Sequence, residues 1–300
     1  MRKIFLLILN VILITGLVQA QKNDKKLERI IKEQLSSFDG DIGIYVKHFQ
    51  KNKVIEIQAD TIFPTASIVK IPILVGVFNK INEGKLKLNA PYQYDSKREY
   101  GGSVLMQFYK DSANTDLTTM VSLMLSYSDN VASIWCQELA GGGVNINALM
   151  DDLGLKNTRV NSKTAGREEA WKKYGWGQTT PKEIATLLAE IRFGRVYDAR
   201  MSDKMYRYLK NQFYNERSLS QIPAEIATAS KTGSVNDARG EVVFVHGPSG
   251  DFVFSILTKN NKDQSWTPDN QAETLTRKIA NVLWNYFEPK HQFTPYSAVN

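Results

Sequence analysis

Apolar residues recur at helical spacing over Lys25 to Phe38, at Leu27, Ile30, Ile31 and Leu35, and predict an amphipathic helix. The rhythm then shortens. Ile42 to Phe49 and Val54 to Ala59 are rich in residues that favour strands, and the polar Gln50-Lys51-Asn52-Lys53 step between them marks a hairpin. Ile68 to Asn82 reads as a helix that stops at Glu83-Gly84-Lys85, where Gly84 suits a left-handed terminus. Leu117 to Tyr127 and Val131 to Ala140 predict two more helices, ahead of the glycine run Gly141-Gly142-Gly143. Thr180-Pro181-Lys182-Glu183 opens another, to about Phe193, with Thr180 as N-cap, Pro181 at the first helical position and Glu183 completing a capping box. Strand-like runs return at Ala227 to Thr232, Glu241 to His246 and Phe252 to Thr258. A closing helix spans Gln271 to Phe287.

Helix, two strands, many helices, three strands, helix: this order implies an α+β fold. An antiparallel sheet is assembled from both chain ends, with an all-helical insertion between. The boundaries expected are 21–62 and 215–300 for an α/β domain and 63–214 for an all-α domain. The first twenty residues stand apart as a signal peptide. Arg2 and Lys3 precede an apolar stretch from Ile4 to Val18, and Val18-Gln19-Ala20 offers a small-x-small cleavage site before Gln21. The product expected is periplasmic or secreted, with no stable membrane association after processing. No cysteine follows the apolar run, which argues against a lipid anchor.

The chain carries 38 Lys and Arg against 31 Asp and Glu, a formal net charge of +7, but the basic residues are scattered. No arginine-rich or aromatic-basic run speaks for nucleic acid, so the partner expected is a small molecule, and the chain is read as a monomer. Cys136 is the only cysteine, so an intramolecular disulfide is excluded, and its apolar neighbours suggest a buried, inert thiol. No HExxH, CxxC or clustered histidines occur, so no metal and no cofactor is expected.

Three short motifs carry the chemistry: Ser67-Ile68-Val69-Lys70, Ser128-Asp129-Asn130 and Lys231-Thr232-Gly233. Together they supply a hydroxyl nucleophile, two lysines, a second serine and an amide, the parts needed for acyl transfer through a covalent ester with lysine as base. The three histidines, His48, His246 and His291, lie far from these motifs in sequence. Three residues apart at a helix start, Ser67 and Lys70 share one face. Lys70 acts as a base only if neutral, so burial or a second cation, for which Lys231 is the candidate, must lower its pKa. Pro72 predicts a kink just after the lysine.

The motif set, its order and the Thr179-Thr180-Pro181 helix start resemble class A β-lactamases, within the penicillin-recognising serine hydrolases, over nearly all of the chain after the signal segment. The resemblance implies five antiparallel strands flanked by terminal helices, an all-α domain, and a site in the cleft between them. It gives Ser67 as nucleophile, Lys70 as its base partner and Ser128 as the proton relay to the leaving nitrogen. Asn130 and Thr232 then bind substrate, Asp129 ties its loop together, and Lys231 with Thr232 faces the substrate carboxylate. The backbone N–H groups of Ser67 and Ser234 form the oxyanion hole. Arg239, before Gly240, resembles the family's carboxylate-binding arginine, although its turn is one residue shorter.

One element of the family pattern is missing. The glutamate that activates the deacylating water falls, in an ungapped register, on Thr164, and Asn161 to Gly166 contains no carboxylate. Glu168 and Glu169 follow, and either reaches the site only if the loop is rebuilt. The expectation is a β-lactam-opening serine hydrolase that acylates readily and deacylates slowly. The alternatives are a D-Ala-D-Ala peptidase or a covalent β-lactam-binding protein without efficient turnover.

Overall fold

The computed structural model describes residues 22–98 and 100–295. The predicted signal segment, with its cleavage point after Ala20, lies outside them. The main sheet is built from β1 (Lys22–Asn23), β2 (Asp41–His48), β3 (Lys53–Ile57), β4 (Thr228–Val235), β5 (Ala238–Gly247) and β6 (Gly250–Lys259). Their spatial order is β1-β3-β2-β6-β5-β4, so the sheet has six strands and not the five expected. The extra strand, β1, is a two-residue polar segment parallel to β3, too short to carry any alternation. Every other pairing is antiparallel, and Asp41 of β2 lies opposite Lys259 of β6. The last of the described strands therefore sits between the first hairpin and the β4–β5 pair.

Both faces of the sheet are covered, which is why its central strands read as near-continuous apolar runs. On one face Val243, Phe254 and Ile256 pack against α1 (Lys25–Gln34) and α9 (Gln271–Phe287) through Leu27, Ile31, Leu283 and Trp284. On the other, Val242, Phe244 and Leu257 meet the helical layer. The centre of that layer is α2 (Lys70–Asn82), buried continuously from Lys70 to Phe78, as expected of a helix apolar all round. Pro72 lies in its first turn, where a missing N–H costs nothing. An irregularity falls before Lys70, as a 3₁₀ turn over Ala66–Val69, and α2 continues unbroken past Pro72 to Asn82.

The run Leu117 to Tyr127 divides into α3 (Leu117–Ser122) and a π-helical turn, Leu123–Tyr127, that ends on Ser128. Then come α4 (Asn130–Leu139), α5 (Gly142–Asp152), α6 (Glu168–Tyr174), α7 (Pro181–Arg192) and α8 (Ala199–Lys210). Thr180 caps α7 by accepting the Glu183 N–H at 3.1 Å. Glu183 does not close the capping box. Its carboxylate accepts the Asn157 N–H and the Thr158 hydroxyl instead, tying α7 to the preceding loop.

Candidate active site

Ser67 stands on the 3₁₀ turn that leads into α2, directly after Ala66 at φ +42°. A non-glycine residue in that region is strained and persists only where its surroundings hold it. The far side of the turn is the outer edge of β4. A Cβ built on Gly233 would lie 2.3 Å from Thr65 O and 3.0 Å from Ser67 N, so only glycine lets strand and turn approach this closely.

One helical turn beyond Ser67, the Lys70 ammonium nitrogen is fully buried. It lies 3.1 Å from Ser67 Oγ, 3.0 Å from Ser128 Oγ, 2.8 Å from Asn130 Oδ1 and 2.5 Å from the Ser128 carbonyl oxygen. Ser128 reaches this position because it closes the π-turn in the left-handed region, at φ +65°. Asp129 fixes the same loop, accepting from Leu105 N, Met106 N and Ala132 N.

Burial, reinforced by the Lys231 cation, pushes the pKa of Lys70 well below that of an ordinary lysine, against a smaller opposing effect of Asp129. A neutral amine within reach of a serine hydroxyl is competent to take its proton. Lys231 is also buried, and burial together with Arg217 brings its pKa down to about 7, with Glu241 opposing.

The backbone of β4 presents donors to the same place. Thr258 Oγ1 on β6 accepts from Arg239 N and donates to Arg239 O, both at 3.0 Å, so the Arg239 backbone faces away from β4. Arg239 and Ser234 are directly opposite and thus form a non-hydrogen-bonded pair, which turns the Ser234 N–H to the free edge beside the 3₁₀ turn. Ser67, Ser128, Asn130, Thr232 and Ser234 all line one cleft of about 1510 Å³. The structure therefore brings the three sequence motifs together. Among the described residues no cluster of three or more His, Cys, Asp or Glu forms that could hold a metal ion.

The family model described as the β-lactamase enzyme family matches residues 25–287. The chain belongs to that family. It is 28% identical over 217 residues to β-lactamase SME-1 of Serratia marcescens, covering 72% of this chain and 73% of the relative. Among solved structures it superposes on PBP-A with a TM-score of 0.79 at 22% identity, over 90% of this chain and 98% of the other. A β-lactamase from Sphaerobacter thermophilus superposes with the same TM-score and identity, over 91% and 100%. These likenesses establish the β-lactamase/transpeptidase-like fold.

Within that family frame, two placements differ from what the motifs suggested. Arg239 does not line the cleft. It is 3% exposed, its guanidinium donates to the carbonyls of Asn236, Ala238 and Ser265, and it stacks 4.5 Å from the centre of Trp266. Arg217 and Arg277 line the cleft instead, and Arg217 donates to Ser234 Oγ and to Glu273, both at 2.6 Å. Sequence reading missed Arg217 because no motif surrounds it and Glu273 lies on α9, far along the chain.

The second difference concerns the loop before α7. Thr164 is buried against the start of α5, where a Cβ on Gly143 would fall 1.8 Å from Thr164 Oγ1, and its hydroxyl donates to Ser162 O. Glu168 accepts from Gly166 N, and Glu169 pairs with Lys172 in solvent. Neither glutamate lines the cleft. Beside Lys70 stands the Trp176 ring, its centre 6.0 Å from the amine. Cys136 is buried, and burial pushes its thiol pKa up.

Proposed function

We propose that the chain opens β-lactam rings by forming an acyl-enzyme on Ser67, and that hydrolysis of this ester is its slow step. The observation that carries the first half is the contact set of Lys70, which places one desolvated amine between two serine hydroxyls. Neutral Lys70 takes the Ser67 proton as Oγ attacks the lactam carbonyl, and the N–H groups of Ser67 and Ser234 receive the developing oxyanion. The proton passes through Ser128 Oγ to the departing ring nitrogen. Asn130 holds the substrate's side-chain carbonyl. Lys231, Thr232 and Arg217 meet its carboxylate, with Arg217 in the role that the resemblance assigned to Arg239.

The second half rests on the loop. Residues 161–169 contribute no carboxylate to the cleft, and a missing general base typically slows a step by roughly 10²–10⁴-fold. The same observation favours a second reading, a D-Ala-D-Ala peptidase or a covalent β-lactam-binding protein. Under either, the signal segment is removed near Ala20, the product acts in the periplasm or medium as a monomer, and the cleft divides 21–62 with 215–300 from 63–214.

Time-resolved mass spectrometry of the protein mixed with a penicillin, with Ser67→Ala as control, separates these. A Ser67 adduct that clears over many minutes while hydrolysed drug accumulates supports the proposal, and one that clears within seconds refutes slow deacylation. A permanent adduct together with cleavage of a D-Ala-D-Ala peptide establishes the second reading. An adduct that survives Ser67→Ala overturns both.

A further inference from the structure

Away from the cleft, a cavity of about 510 Å³ opens between the end of α7, helix α8 and the end of β5. Three cationic residues, Arg192, Arg207 and Lys210, line it with one acid, Asp203. Asp203 is engaged by Arg207 at 2.8 Å, which leaves the positive charge of Arg192 and Lys210 uncompensated within the cavity. Arg192 Nε is buried without a hydrogen-bond partner, and its guanidinium carbon lies 5.5 Å from the centre of the Tyr206 ring. On the cavity wall, Tyr206 OH is 2.8 Å from His246 Nε2, and His246 Nδ1 is 3.1 Å from Asp251 Oδ1. Nothing in the β-lactam chemistry uses this carboxylate–imidazole–phenol chain.

We propose that this cavity is a second binding site, for a small oxyanion such as a sulfate, phosphate or carboxylate group, held by Arg192, Lys210 and the Tyr206 hydroxyl, and filled together with a proton on His246. With Asp251 ionised, its oxygen accepts the Nδ1–H, so a neutral Nε2 accepts from the Tyr206 hydroxyl and that O–H is unavailable to a ligand. When His246 takes one proton from solvent, Nε2–H donates to the phenolic oxygen instead. The Tyr206 O–H then turns to the anion. No covalent bond other than N–H forms.

The groups facing His246 are Asp251 from β6, Arg192 from α7, and Tyr206 and Lys210 from α8. Burial is the largest influence and, with Arg192 and Lys210, holds the empty-site imidazole below its ordinary pKa, against the opposing pull of Asp251. A bound anion offsets the two cations and raises it. Anion affinity therefore falls as pH rises through the shifted value.

The test is proton NMR of the His246 imidazole, identified by its loss in His246→Gln, during titration of the full chain with sodium sulfate and, separately, sodium benzoate. Sulfate does not titrate in the range used. A saturable shift of this signal is expected with at least one anion, with its pKa raised by about one unit and affinity about tenfold weaker at high than at low pH. Arg192→Gln and, independently, the exposed Lys210→Gln should weaken binding several-fold or more. Tyr206→Phe should weaken binding and reduce the pH dependence to the part that charge alone provides. Thermal melting reports that each variant is folded. An unmoved His246 signal with both anions, or binding indifferent to both cation variants in folded protein, overturns the proposal.

Discussion

Replacing Gly233 with alanine puts a methyl carbon 2.3 Å from Thr65 O and 3.0 Å from Ser67 N. Both are backbone atoms, so no side-chain rotation relieves the clash. Gly233 is not among the positive-φ glycines, so alanine adds no conformational penalty and the effect is purely steric. Restoring ordinary contact requires β4 and the 3₁₀ turn to separate by about 1 Å. The Ser67 and Ser234 N–H groups then part by a similar distance, and a donor placed about 2.9 Å from an oxyanion moves beyond effective range. Losing one such donor costs roughly 10²–10³-fold in rate, about 2.7–4 kcal/mol of transition-state stabilisation. Stopped-flow acylation by a chromogenic cephalosporin measures this directly, with thermal melting to confirm folding. Acylation by folded Gly233→Ala within about threefold of the parent rate would show that the two amides do not act as a pair.

Because the Lys231 pKa is brought down to about 7, its cation is present below that pH and lost above it. The kcat/KM for a carboxylate-bearing β-lactam should therefore decline as pH rises through this value, while a methyl-esterified substrate shows no such limb. Glu168→Gln and Glu169→Gln, both outside the cleft, should leave the acyl-enzyme lifetime within about twofold of the parent, and a hundredfold extension would place the missing base in that loop. Arg217→Gln should raise KM for the same carboxylate substrates about tenfold or more, since a hydrogen bond to a charged group contributes about 1.5–3 kcal/mol. Arg239→Gln should chiefly lower the melting temperature, because its guanidinium ties backbone carbonyls to the Trp266 loop.

Periodicity located the elements that bury a face. Leu27 and Ile31 on α1 and the long apolar α2 were legible because packing demands their pattern. Helix α6 was not, because it buries no residue and so leaves no apolar rhythm. Helix α5 begins on glycines, which read locally as a break, and α8 was missed despite Met201, Met205 and Leu209 at four-residue spacing. The motifs reported which groups the fold brings together, since each is contiguous in sequence. They could not report the strain at Ala66 and Ser128, the union of Arg217 with Glu273, or the direction of the Arg239 side chain, all of which tertiary contacts decide.

The position of β6 bears on how the molecule is made. Among the described strands, the last in sequence, β6, is also central, with β2 on one side and β5 on the other. During synthesis, the first hairpin therefore leaves the ribosome long before its principal partner exists, and its inward edge has nothing to pair with. A chain stopped short of Gly250 lacks the strand that joins the β2–β3 hairpin to the β4–β5 pair. Such long-range pairing slows folding and leaves strand edges open in the meantime. Ser67 and Gly233 come from opposite sides of this late closure, so the cleft they share is complete only once β6 is in place.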